Sequence, residues 1–164
     1  MSVPSPAFRS PQFLLGHIRS IMAFYHPRCI DSGGGYYHYF KDDCSLYRKR
    51  ERHLVSSTRF VVNYALAFRR FGQVEYLDAA RHGVDFLRRA HRNPETGGYA
   101  WTLLDGVPQD ATNHCYGLAF VLLAYARALE AGIAEAGEYL EETWQLLERR
   151  FWEPAHGLYA DEAN

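Results

Sequence analysis

Read against helical and strand periodicities, the hydrophobic pattern predicts five helices. The first, about Pro11 to Tyr25, carries Leu14, Ile18, Ile21, Met22 and Tyr25 on one stripe. The second, about Arg52 to Phe71, is apolar on most of its circumference, through Leu54, Val55, Phe60, Val61, Val62, Ala65, Leu66 and Phe68. The third, about Val74 to His91, is one-sided through Leu77, Ala80, Val84 and Leu87. The fourth, about Asn113 to Ala131, is apolar almost all round, and the fifth, about Glu138 to Phe151, returns to a single stripe of Leu140, Trp144, Leu147 and Phe151. Gly72 and Gly132 supply stops, as do Pro27 and Pro94. A helix apolar on every face must be covered on every face, whereas a one-sided helix covers something and meets water. The alternation therefore predicts inner and outer helices, the arrangement of an all-α, two-layered α/α toroid.

The connections repeat too. HPRCIDSGGGYYHYFKDDCSLY precedes the second helix, HRNPETGGYAWTLLDGVP the fourth, and FWEPAHGLYADEAN follows the fifth. Gly35, Gly98 and Gly157 mark the same place in each, and a spacing this regular is the mark of stacked structural units. Tyr36, His38 and Phe40 alternating with Tyr37 and Tyr39 suit a short two-stranded ribbon, turning at Asp42-Asp43-Cys44. Two and a half such units do not close a ring, and repeat architectures need neighbours on their terminal faces. Residues 1–164 are thus expected to be the N-terminal portion of a single domain, cut short; the alternative is a five-helix bundle.

With 18 Lys+Arg against 19 Asp+Glu, the net charge of −1 gives no electrostatic reason to expect nucleic acid or an anionic membrane as partner. Cys29, Cys44 and Cys115 cannot all pair within the chain and show no zinc-type spacing. Reduced thiols and a cytoplasmic location are expected, with no metal and no cofactor. MSVPSPAFRSPQ lacks the order of a signal peptide, and no apolar run reaches membrane-spanning length. Aromatic residues make up 15% of the chain, which suits packing seams and also sugar platforms.

In a toroid of this kind the loops entering the inner helices gather at one end. Polar residues there are His53, Ser56, Ser57, Thr58 and Arg59 on the second helix and Thr112, Asn113, His114 and Tyr116 on the fourth. Tyr36, Tyr37, Tyr39, Tyr99 and Trp101 of the hairpins would join them. The expected result is a concave, aromatic-lined mouth of the kind an uncharged polyhydroxylated ligand needs. Arg59, within a mostly apolar helix, reads either as a buried structural arginine with a carboxylate partner or as a fixed donor to a substrate oxygen. His53 and His114 could act in acid–base chemistry or in capping, and Tyr116 could be core or ligand contact. His17, His82, His91 and His156 read as surface or loop residues. Metalloprotease, dinucleotide, P-loop and nucleophile-elbow motifs are all missing from the sequence. No pair of carboxylates can be placed across a pocket as a glycosidase would require.

RHLVSSTRFVVNYA, GGYAWTLLDG, NHCYGLAFVLLAYA and RRFWEPAHGLYADE, in this order, resemble the N-acylglucosamine 2-epimerase superfamily, above all its aldose–ketose isomerase branch. The resemblance runs from Gly33 to Asn164. It implies an (α/α)6 barrel with short β-hairpins between helices, of which this chain is a part. It also implies metal-free interconversion of an aldose such as mannose and its ketose, or 2-epimerisation, through a cis-enediolate. A monosaccharide is the implied partner, and a homo-oligomer is compatible with it. The family's arginine falls on Arg59, its leading histidine on His53 and its pocket tyrosine on Tyr116; a family tryptophan is Val55 here. Leu118 stands where many members carry a histidine, and Asn113-His114 could supply polar groups instead. Cys44 stands at a turn position where glycine is usual. The family's proton-transfer histidines lie on later helices, so this span is expected to supply substrate-binding residues and no catalytic base, and to be inactive alone. A non-catalytic helical-repeat module that binds carbohydrate or protein is the other reading of the same pattern.

Overall fold

A computed structural model describes residues 7–163. Residues 1–6, which open the stretch read above for a targeting signal, and residue 164 lie outside the described residues. Five helices dominate: α1 (Pro11–Tyr25), α2 (Leu54–Phe71), α3 (Val74–Phe86), α4 (Cys115–Glu130) and α5 (Ala136–Phe151). Among the described residues five short strands sit between them, β1 (Tyr39–Phe40), β2 (Leu46–Arg48), β3 (Glu51–His53), β4 (Thr102–Leu104) and β5 (Val107–Asp110), and two follow α5, β6 (Trp152–Glu153) and β7 (Leu158–Tyr159).

The helices begin and end where local chemistry directs. Ser10 caps α1 by accepting from the Phe13 N–H at 3.1 Å, with Pro11 in the first turn, where its missing N–H costs nothing. Gly72 closes α2 at φ +72°, a conformation that a Cβ would oppose. Two starts differ from the sequence expectation. Arg52 and His53 belong to β3, because Glu51, Arg52 and His53 pair antiparallel with Leu104, Leu103 and Thr102. Asn113 and His114 precede α4, since His114 bridges to Glu162 of the third hairpin. Periodicity marks the apolar turns of a helix but not the extended residues that lead into it. α3 continues as a π-helical turn over Leu87–His91, where the Arg92 N–H reaches back to the Leu87 carbonyl at 3.0 Å.

α2 packs against both α3 and α4, and α4 packs against α5. Val61, Tyr64 and Ala65 of α2 meet Ala79, Ala80 and Val84 of α3, while Leu118, Val121, Ala124 and Tyr125 of α4 meet Leu146, Leu147 and Phe151 of α5 in one continuous core. The repeated Gly-Tyr positions drive a ring into each seam. Tyr36 stacks on Phe60 and Tyr64, and its hydroxyl donates to the Ala79 carbonyl at 2.6 Å. Tyr99 places its hydroxyl 3.1 Å from that of Tyr125 and 3.3 Å from Thr143 Oγ1. Both tyrosines are buried, so neither lines a mouth as the sequence suggested.

The inner-helix expectation is also modified. α2 leaves Arg59, Asn63, Leu66 and Arg70 exposed at helical spacing, and α4 leaves Tyr116, Ala119 and Leu123 exposed. Each therefore has one open stripe. On α1 only Met22 is buried, while Leu14, Ile18 and Ile21 remain exposed beside an apolar groove toward α2. Cys44 has φ +67°, so the turn does take the left-handed conformation that favours glycine.

Candidate functional site

The three-stranded sheet β3-β4-β5 places the entrance of α2 against the second hairpin. The Leu54 N–H donates to the Trp101 carbonyl at 2.9 Å, and in the next unit the Cys115 N–H donates to the Asp161 carbonyl at 2.8 Å. The two helix entrances are thus built alike, and His53 and His114 occupy the same position: each is the residue immediately before its helix. Trp101 stands between them, with ring centroids 4.4 Å from His53 and 4.3 Å from His114. Gly117 makes room for it, because a Cβ there would lie 3.1 Å from the indole. His53, Trp101 and His114 are all half-buried, so their edges meet solvent.

Chemically, His53 is specified further. Its Nδ1 accepts from the Val55 N–H at 3.2 Å, capping α2. A neutral imidazole whose Nδ1 accepts carries its proton on Nε2. Among the described residues nothing engages that Nε2, so His53 offers an N–H donor rather than a free base. Its pKa lies below the ordinary histidine value, through burial first and then the neighbouring His114 and Arg59. Its acceptor nitrogen is occupied, which removes the general-base role considered from the sequence. His114 Nδ1 lies 3.3 Å from a Glu162 carboxylate oxygen.

Arg59 is exposed, not buried in an apolar helix. Its guanidinium carbon lies 4.9 Å from the centroid of Phe120, a cation–π contact from α2 to α4. Tyr116, 54% exposed, packs edge-on to the same ring at 5.0 Å. Arg59 and Tyr116 therefore flank Phe120 on the open side of the α2–α4 pair, beside the His53–Trp101–His114 group. Asn113 is different: it is buried, and its Oδ1 accepts from the Tyr99 N–H at 2.8 Å while its Nδ2 reaches the Ala111 carbonyl at 3.3 Å. A Cβ at Gly98 would collide with that amide. Asn113 holds the second hairpin through this amide, away from the open side. Ser57 and Thr58 are buried as well, Thr58 donating to the Val55 carbonyl at 2.9 Å. Leu118 is buried in the core, so this position does not reach the open side.

Behind the rim lies a group that the sequence did not single out. His91, expected at the surface, is fully buried, and His38, Ser57 and His91 are linked by hydrogen bonds. His82 is half-buried against the Gly35 carbonyl at 2.9 Å; His17 and His156 are exposed. The signal for His91 was present: it extends the stripe of Val84 and Leu87 by one turn. His38 shares the inward face of its ribbon with Tyr36 and Phe40. Among the described residues, no group of three or more His, Cys, Asp or Glu side chains converges as metal ligands, and no helix is long and apolar enough to cross a membrane.

Comparison with known proteins places this arrangement. A family profile described as N-acylglucosamine 2-epimerase (GlcNAc 2-epimerase) matches residues 35–164. A D-mannose isomerase from Marinomonas mediterranea is 54% identical over 157 residues, covering 96% of this chain and 40% of that protein. A cellobiose 2-epimerase from Eubacterium cellulosolvens is 28% identical over 130 residues, 78% of this chain and 32% of its own. A solved structure of a D-mannose isomerase superposes with a TM-score of 0.93 at 53% identity, over 97% of this chain and 40% of that one. The chain thus spans less than half the length of the relatives it matches. The order of its helices and hairpins, the paired histidine entrances and these likenesses agree: the chain belongs to the N-acylglucosamine 2-epimerase family.

Proposed function

We propose that residues 1–164 form the N-terminal portion of a single (α/α)6-barrel domain in a sugar isomerase. It interconverts an aldose such as D-mannose and its ketose. The observation that carries this reading is the convergence of Arg59 and Tyr116, from neighbouring helices, on Phe120 at an open face next to His53, Trp101 and His114. These side chains offer what a monosaccharide requires: aromatic faces for C–H patches, and a guanidinium, a phenol and imidazole groups for hydroxyls.

In the ring-opened aldose a base removes the C2 proton, leaving a cis-enediolate with negative charge on the O1 and O2 side. Return of a proton to C1 gives the ketose, and no metal takes part. Arg59 lies on the exposed face as a fixed cation that holds those oxygens as charge develops. The His53 Nε2–H donates to a second sugar oxygen, and Tyr116 and His114 extend the same polar rim. The C2 base is not one of these residues. Return of the proton to C2 instead would give the 2-epimer, and Leu118, buried in the core, contributes no group to either outcome. The free thiols of Cys29, Cys44 and Cys115 support a cytoplasmic location.

The test is turnover by the intact protein in D2O with D-mannose. Fructose carrying deuterium at C1 is the expected product. Arg59→Lys, which keeps the charge but loses the planar fork, should lower turnover by about ten- to a thousandfold with the fold intact. Mannose recovered unchanged, with its binding still visible at the Trp101 signals, would leave the non-catalytic binding module as the better reading.

A further inference from the structure

Between the walls of the rim runs a chain of hydrogen bonds whose direction is determined at both ends. The His53 backbone N–H can only donate, and its partner at 3.2 Å is His38 Nδ1. Neutral His38 therefore carries its proton on Nε2, which lies 3.4 Å from Ser57 Oγ. At the other end the Ala100 carbonyl can only accept, and His91 Nδ1 lies 2.9 Å from it. Neutral His91 therefore has an accepting Nε2, 3.1 Å from the same Ser57 Oγ. The hydroxyl must receive from His38 and donate to His91. Every bond then points the same way, from His53 through His38, Ser57 and His91 to Ala100.

We infer that His38, Ser57 and His91 are positioning residues for the sugar site, acting through this chain to hold His53 and Trp101 in register. Its first donor is the backbone of His53. Its last acceptor shares a peptide plane with the Trp101 nitrogen. His91 grips that residue twice, since its own carbonyl accepts the Ala100 N–H at 2.7 Å. The π-helical turn supplies the reach: the wider turn at Leu87–His91 carries the His91 ring into the core against Phe86, at 5.6 Å. Ser57 is 1% and His91 0% exposed, so the loss of a member leaves its neighbours' polar groups unpaired away from bulk water. Burial holds both rings neutral, with pKa values pushed down to about 3 for His38 and about 4 for His91. A proton on His38 Nδ1 would set two donors face to face, and one on His91 Nε2 would remove the acceptor of the Ser57 hydroxyl.

This inference deepens the isomerase reading and rests on it for its kinetic readout, so the experiment has two arms. In the intact protein, Ser57→Ala should raise the KM for D-mannose about tenfold while kcat changes less, because the rim loses its alignment but keeps every group that faces the sugar. Wild-type KM and kcat with a lowered melting midpoint would show a structural tie only and overturn the proposal. The second arm needs no activity. Long-range 1H–15N spectra should show the Nε2–H tautomer at His38 and the Nδ1–H tautomer at His91, and Ser57→Ala should shift the Trp101 indole and His53 ring signals. If the protein turns over no sugar, the isomerase reading fails alone and this arm decides. Opposite tautomers, or Trp101 and His53 signals that stay in place, would overturn the chain. His91→Asn, which keeps a donor toward Ala100 and removes the acceptor for Ser57, serves if Ser57→Ala does not fold.

Discussion

The four histidines around the helix entrances form two pairs that share a chemistry and differ in setting. His53 and His114 stand at the rim, half-buried, on either side of Trp101. His38 and His91 stand behind it, joined through Ser57 with every ring nitrogen engaged. In the interior pair, desolvation dominates and the rings are held neutral, to fix tautomers and backbone. At the rim a ring keeps one edge free, and its chemistry is available to a ligand. What separates a positioning histidine from a contacting one is the number of nitrogens left over once the fold has been satisfied.

The largest effect that would break this comparison is acid sensitivity. The folded pKa values of His38 and His91, near 3 and 4, lie below the unfolded value of 6.5. Below pH 6.5 the unfolded chain binds protons that the folded chain refuses. Stability should therefore fall as pH drops from 6.5 toward 4, by about 1.4 kcal/mol per pH unit for each histidine, and be unaffected by this pair above pH 7. Arg52 and His53 depress both further, and the His91 ring adds to the effect on His38. Urea midpoints of the intact protein at pH 7, 6, 5 and 4 measure the slope. His91→Asn should flatten it by about one proton, and an unchanged slope would count against the interior assignment.

Smaller, and confined to the rim, is the consequence of Trp101→Ala. It removes the ring between the two imidazoles and should raise the sugar KM about tenfold, with a modest loss of stability because Trp101 is only partly buried. Substrate titrations of the intact protein check it. The smallest effect belongs to Glu162→Gln. That carboxylate is 55% exposed beside His114, so its removal should change the unfolding free energy by less than about 1 kcal/mol. A larger loss in thermal melts would mean that the rim pair is as tightly built in as the interior one.

Much of the helical framework was legible. α1 runs from Pro11 to Tyr25, as its apolar stripe and the Pro27 stop indicate, α2 ends at Gly72, and α4 ends at Glu130, two residues before Gly132. The repeated Gly-Tyr positions were legible as a repeat but not as seams. A tyrosine suits both a pocket wall and a core, and only the carbonyl of Ala79 or the hydroxyl of Tyr125 decides. Arg59 shows the converse: a charge inside an apolar run left a buried structural arginine and a ligand donor both open, and the exposed stripe of α2 on which Arg59, Asn63 and Leu66 fall together removes the buried one. Asn113 looked like a sugar ligand by its neighbours and proved to hold the Gly98–Tyr99 turn.

The sequence by itself determined where helices form, because periodicity, caps and stops act over a few residues and need no distant partner. It determined the unit that repeats, because the same local pattern recurs about sixty residues apart and each copy must bury the same face. Tertiary structure alone decided which polar groups are consumed and which remain free. A hydrogen bond between His91 and Ser57, or a cation–π contact between Arg59 and Phe120, joins residues far apart in the chain. Nothing in the local sequence encodes the angle at which such residues meet. The burial that holds one histidine neutral and leaves another able to meet a sugar is a property of the packed molecule.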